Sequence, residues 1–286
     1  MVTSVAEAFE QFRRNLQITT LQTSTVASRQ TAVRDAVAAK IDVKESFLTG
    51  SYSRNTMIAP LEKADVDVFM VLNPSYYESN GQLLLLNQVR DVLKERYPKT
   101  PSISANGQAV TIRFDDFVVD VVPAFYRNGG GYLIPDSRRG KWIATDPRRH
   151  VELSTHANSS HDGKLVPLTK MVKAWNRQSG SLFHSFHLEV LLWSVLNGIA
   201  ITDYPSGVRY FLEKAPTLIP VQNADPAGYG GDVGSYIVGQ EAIDTVVSVL
   251  NRGCQQARNA EAEASHPTMA IGIWRDFFGG LFPAYG

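Results

Sequence analysis

The sequence predicts an α+β fold, with a sheet-bearing lobe over about residues 1–150 and a helical lobe over 151–286. Three observations predict it. Between about residues 46 and 143 the apolar runs are short and β-like, and Pro, Gly and Asn separate them. After Pro147 the apolar residues recur at helical spacing instead. A chain of 286 residues is long enough for two lobes with a cleft between them.

The elements follow in order. Phe9, Phe12 and Leu16, then Ala27, Val33 and Val37, predict one or two helices before the first strand. Strand-like runs cover 66–72, 109–114, 117–122 and 132–134, interrupted by a helix over 82–96 with Leu83, Leu86, Val89, Val92 and Leu93 on its apolar face. Helices are expected over 165–177, 186–197, 207–214 and 234–260, followed by a short tail helix. The Pro- and Gly-containing stretch 215–231 reads as a loop between two of them.

Composition narrows the function classes. Lys plus Arg number 28 and so do Asp plus Glu, so no net charge calls for a long nucleic acid as obligatory partner, although Arg138, Arg139, Lys141, Arg148 and Arg149 could form a local basic patch. The single cysteine, Cys254, excludes an internal disulfide and a Cys-rich zinc module, and fits the reducing cytoplasm. No leader or membrane span is read, because residues 1–10 lack a basic start and the most apolar run, 188–201, is broken by Glu189, Ser194 and Asn197.

The chemistry concentrates in "LTGSYSRNTMIAPLEKADVDVFM". Residues two apart in a strand share a face, so Asp65 and Asp67 present paired carboxylates inside an apolar run. Adjacent carboxylates stay ionised together only when a positive charge lies between them, and a divalent metal is the usual solution. In "FDDFVVDVVPAF", Val118, Asp120 and Val122 share one strand face; a neighbouring position for that strand would make Asp120 the third ligand. Oxygen ligands with no nearby His or Cys suit Mg²⁺ or Mn²⁺, and two such ions are the common clamp for phosphoryl transfer. Gly50 and Ser51 precede an expected short helix over 52–58 whose free amides favour anionic oxygens, with Gly50 allowing close backbone approach. In the helix over 165–177, Lys170, Lys173 and Arg177 fall on one face and Leu168, Val172 and Trp175 on the opposite one, which predicts a basic stripe. His184 and His187 lack a third metal-ligand partner, so histidines 156, 161, 184 and 187 are expected in surface or structural roles.

Gly-Ser, a short helix, Asp-apolar-Asp and a later strand Asp together resemble the DNA polymerase β-type nucleotidyltransferase superfamily. The segments "GGGYLIPDSRRGKWIATDPRRH", "LVPLTKMVKAWNR", "FHSFHLEVLLW" and "NADPAGYGGDV" extend the resemblance to the bacterial cGAS/DncV-like nucleotidyltransferases, the cyclases of CBASS anti-phage defence. The resemblance implies a polymerase β-like sheet lobe and a helical lobe with the active site in the cleft between. It implies that Asp65, Asp67 and Asp120 bind two Mg²⁺ or Mn²⁺ ions, that Gly50 and Ser51 hold the donor triphosphate, and that Lys173 and Ser185 contact that triphosphate from the helical lobe. The implied substrates are nucleoside triphosphates, with ATP and GTP favoured. The implied product is a cyclic oligonucleotide messenger such as cyclic GMP-AMP, which alone would link the enzyme to its effector. The final residue Gly286 matches the terminal glycine that a ubiquitin-like ligase system joins to targets in some of these cyclases. A template-independent RNA-tailing or protein-modifying nucleotidyltransferase, and an inactive nucleotide sensor, share the acidic motif and stay open.

Overall fold

The computed structural model describes residues 1–100 and 102–286. Its helices and strands run α1 Val5–Asn15, α2 Thr20–Ala38, β1 Val43–Leu48, α3 Gly50–Ser53, β2 Asp65–Leu72, α4 Gln82–Arg96, β3 Ser102–Asn106, β4 Ala109–Arg113, β5 Val118–Tyr126, β6 Tyr132–Asp136, β7 Lys141–Thr145, α5 Pro147–Ser159, α6 Leu165–Gln178, α7 Ser185–Leu196, α8 Tyr204–Lys214, α9 Gln240–Ala262 and α10 Pro267–Phe278. The chain forms two compact units, one of residues 18–152 and one of residues 1–17 with 153–286.

The first unit is built on a mixed sheet in the order β1-β2-β5-β4-β3, with β6 beside β5 and β7 beside β6. Strands β2 and β5 are parallel, and their neighbours are antiparallel. One sheet face, carrying Val66, Val68, Met70, Leu72, Val119 and Val121, packs with α2 and α4 into a single core. On the other face the far halves of β2 and β5 are covered as well, since Phe69, Val71, Val122 and Ala124 pack with Tyr132 and Ile134 of β6. Only the near halves, with Asp65, Asp67 and Asp120, lie outside that cover. This division explains how one strand can be apolar through most of its length and acidic at its start.

In the second unit, α1 enters through a capping box: the Ser4 side chain accepts from the Glu7 N–H and Glu7 reaches back to the cap backbone. Its buried residues Ala8, Phe9 and Phe12 turn toward the C-terminal helices. Phe9 meets Trp274 edge-on at 5.0 Å, and Phe12 lies 4.6 Å from Phe278. The expected lobe boundary therefore differs at the N-terminus, where this aromatic cluster ties α1 to the helical unit and leaves α2 with the sheet.

Three further expectations change. Leu83 is half exposed, while Leu85, Leu86, Val89 and Leu93 form the buried face of α4. The helix expected from residue 234 begins at Gln240, after Gly239 at φ +85°. The helix expected over 52–58 is the single turn α3, and it contains Gly50 and Ser51 rather than following them. Asn55 adopts φ +56°, and the Thr56 and Met57 N–H groups both return to the Ser51 carbonyl, which stops the helix. Among the described residues no helix is long and apolar enough to cross a membrane.

Candidate active site

The site begins with strand register. Parallel pairing of β2 and β5 sets Asp67 directly beside Asp120, and Asp65 beside Val118 two residues earlier on the same face. Neighbouring strands stand about 4.8 Å apart, so Asp67 and Asp120 are direct cross-strand neighbours. Asp65 is exposed and Asp67 half-buried.

Gly50 packs against Asp67. The Thr49 N–H donates to the Asp67 carbonyl at 3.0 Å, so the chain entering α3 is pinned to β2. A side chain at position 50 would put its Cβ 1.8 Å from Asp67 Oδ2, and the backbone there is at φ +66°. Glycine is thus required twice over, by space and by conformation. Among the described residues the half-buried Ser51 hydroxyl has no hydrogen-bond partner within the protein, so both of its lone pairs and its proton remain open to a ligand.

Electrostatics single out Asp67. Burial, and next the charge of Asp120, push the Asp67 carboxyl up to about 7; Asp65 adds to the rise and Arg54 opposes it. Arg54, at 8% exposure, is a member of the site that sequence reasoning missed. Its signal was its position four residues after Gly50. Thr111 of β4 was missed too: it pairs with Asp120 across the β4–β5 ladder and donates its hydroxyl to Asp120 Oδ1 at 2.5 Å. Among the described residues no three acidic, His or Cys side chains stand in a closed metal-binding arrangement. Asp65, Asp67 and Asp120 instead form a row along two strands, as mutually repelling carboxylates would. The all-oxygen donor set and the raised pKa of Asp67 fit a hard divalent cation.

Lys173 and Ser185 lie in the other unit. Lys173 on α6 is buried and donates to Glu189 of α7 at 2.6 Å, and Glu189 is fully buried. Lys170 is buried as well, donating to Gln17 Oε1 at 2.7 Å, and desolvation followed by the Lys173 charge lowers its pKa to about 8. The basic stripe is therefore not a solvated face: α6 is buried almost all round, from Leu168 to Asn176. Ser185 is the exposed first residue of α7, with His184 at the cap position.

His184 and His187 have the structural role expected of them. The Tyr236 ring stacks on His184 at 3.7 Å, and its hydroxyl accepts the His184 backbone N–H while bonding to His187 Nδ1 at 2.9 Å. Burial lowers the His187 pKa to about 4 and raises that of Tyr236 to about 12. The suspected basic patch is largely neutralised, since Arg139 faces Asp136, Arg148 faces Glu45 and Arg149 faces Glu152. Gly286 is exposed, and its N–H donates to the Val2 carbonyl at 3.0 Å.

Comparison with known proteins places the chain in a family. Residues 3–158 match the Second Messenger Oligonucleotide or Dinucleotide Synthetase (SMODS) domain. A cyclic AMP-AMP-AMP synthase of Acinetobacter sp. is 27% identical over 304 residues, covering 99% of this chain and 86% of that protein. The structure of CdnC from E. coli MS115-1 with ATP superposes with a TM-score of 0.78 at 17% identity, covering 98% of this chain and 99% of that one. DncV of Vibrio cholerae in its 3'-deoxy GTP bound form gives a TM-score of 0.69 at 18% identity, over 84% of this chain and 69% of that one. The SMODS match spans more than half of the chain, and the polymerase β-like α+β fold is shared with these solved structures. The chain therefore belongs to the SMODS family, the cGAS/DncV-like nucleotidyltransferases that synthesise cyclic oligonucleotides.

Proposed function

We propose that this chain joins nucleoside triphosphates into a cyclic oligonucleotide by a metal-dependent reaction at Asp65, Asp67 and Asp120. The observation that carries the reading is the parallel register setting Asp67 beside Asp120, with Gly50 packed against the Asp67 carboxylate. Asp65, Asp67 and Asp120 would hold two Mg²⁺ or Mn²⁺ ions, which when bound neutralise charge on the α-phosphate and the leaving pyrophosphate. Gly50 and Ser51 receive the donor triphosphate. A ribose hydroxyl of a second nucleotide forms a bond to the donor α-phosphorus, the bond from that phosphorus to the bridging oxygen breaks, and pyrophosphate leaves. Asp120 assists removal of the hydroxyl proton. Repetition on the linear product, with its own triphosphate as donor, closes the ring. Positioning and electrostatic stabilisation supply most of the catalysis.

Ser185 and Lys173 serve as further triphosphate contacts in this reading, and for Lys173 that role has to coexist with its bond to Glu189. Sequence resemblance favours ATP and GTP, giving cyclic GMP-AMP. The relative named a cyclic AMP-AMP-AMP synthase, which this chain matches over 99% of its length, favours an all-adenine product as the second reading.

The test incubates purified protein with Mn²⁺ or Mg²⁺ and each labelled nucleoside triphosphate, singly and mixed, then treats the products with phosphatase. A phosphatase-resistant species that Asp67→Asn does not make is expected, and its label pattern distinguishes the two products. Wild-type levels of product from Asp67→Asn would overturn the assignment.

A further inference from the structure

We infer that Thr111 is a positioning residue for Asp120, holding one carboxylate oxygen so that the other is presented to the metal; this rests on reading Asp120 as a metal ligand. The ladder between β4 and β5 places Thr111 opposite Asp120, on the strand edge away from Asp67. Asp120 therefore has a like charge on one side and a hydroxyl on the other. Its flanking residues Val110 and Ile112 are fully buried in the core beneath the sheet, which leaves Thr111 on the site face with little freedom to move. As a β-branched residue it is also restricted about χ1.

The Thr111 Oγ1 to Asp120 Oδ1 distance of 2.5 Å belongs to the short, charge-assisted class of O–H···O⁻ bonds. Among the described residues Asp120 Oδ2 has no hydrogen-bond donor, so the two oxygens have different duties: Oδ1 is held by the protein and Oδ2 is left for a ligand. Without the Thr111 hydroxyl, repulsion from Asp67 would turn Asp120 away from the shared position, and each cation would have to pull it back. Hydrogen bonds of this kind around metal ligands set both ligand orientation and metal affinity. A general role in sheet pairing would instead depend on β-propensity and shape, which valine supplies as well as threonine.

The experiment compares Thr111→Val, Thr111→Ser and Asp120→Asn in the full chain. Two quantities are read: Mn²⁺ binding by calorimetry without nucleotide, and pyrophosphate release resolved into kcat and KM. Thr111→Val is expected to weaken Mn²⁺ binding roughly tenfold and to lower kcat by about 10–100-fold, with the nucleoside triphosphate KM within about twofold of wild type. Thr111→Ser, which keeps the hydroxyl, should restore both to within about threefold. Wild-type Mn²⁺ affinity and kcat in Thr111→Val, or equal losses in the serine and valine variants, would overturn the inference. Should the valine variant not fold, Thr111→Ala provides the hydroxyl-free comparison. Asp120→Asn separates the two levels: normal turnover there would remove the metal-ligand reading, whereas its inactivity beside an unimpaired Thr111→Val would remove only the role of Thr111.

Discussion

Metal-free protein should lose stability as the pH rises, and Asp67 should be the cause. Its carboxyl is raised from an ordinary 3.8 to about 7 by burial and by the charge of Asp120. Between those values the unfolded chain has already released this proton while the folded chain still holds it. The folded state binds more protons throughout that window, so stability falls with pH and levels off above about 7. A shift of about three units corresponds to about 4 kcal/mol, of which about 3 kcal/mol would be lost between pH 4.5 and 8. This is an upper figure, because water reaching a half-buried carboxylate screens it. Urea unfolding in excess EDTA at both pH values, on wild type and Asp67→Asn, isolates the contribution, since every other titrating group is common to the two proteins. Wild type should lose about 3 kcal/mol more than the variant over that interval, and Asp67→Asn should be the more stable protein at pH 8. Adding Mg²⁺ at pH 8 to about one hundred times its dissociation constant should return about 2.7 kcal/mol to wild type and little to the variant. Parallel pH profiles for the two proteins would refute the reasoning, because they would mean that Asp67 is not electrostatically strained in the folded state.

Three other outcomes are expected. Gly50→Ala should cost about 1–2 kcal/mol of stability for an L-residue at φ +66° and, by forcing Asp67 aside, about 100-fold in turnover; thermal melting and pyrophosphate release measure the two effects separately. Lys173→Met should destabilise the protein by about 3–5 kcal/mol because it removes the buried ammonium that pairs with Glu189, and Lys173→Met combined with Glu189→Leu should recover most of that loss in chemical denaturation. Tyr236→Phe should cost about 1–3 kcal/mol, since both the His184 N–H and His187 Nδ1 lose their common partner, and thermal melting reads that loss.

What the sequence made legible was periodicity within single strands and helices. Asp65 and Asp67 on one face of β2, Asp120 on one face of β5, and the limits of α4 follow from residue spacing alone. Cross-strand relations were not legible, because α4, β3 and β4 intervene between β2 and β5 and no local pattern sets their order. Thr111 was invisible for the same reason, its significance being entirely a matter of which residue lies opposite. Helix α5, PRRHVELSTHANS, lies in the stretch after Pro147 read as helical but received no bounds of its own, because it is short of apolar residues at helical spacing. On α6 the spacing placed Lys170 and Lys173 on one face correctly, but spacing reports direction and not exposure. Glu189 and Gln17, contributed by other segments, turn that face into an interior one.

Mutations at the two sets of residues therefore carry different meanings. Lys173 is coupled to a buried acid, so its removal damages the fold whether or not it touches a triphosphate, and loss of activity alone says nothing about binding. The Lys173→Met, Glu189→Leu pair is informative because it removes the buried carboxylate together with its ammonium. A stable but inactive double variant assigns Lys173 to the ligand, and a stable active one confines it to the core. The carboxylate row obeys the opposite logic. There burial, and next the charge of Asp120, disfavour the ionised Asp67 in the folded state, so neutralising Asp67 should strengthen the metal-free fold while abolishing turnover. Stability and activity moving in opposite directions at Asp67, but in the same direction at Lys173, is the pattern expected when one site is strained to receive a cation and the other is already satisfied within the protein.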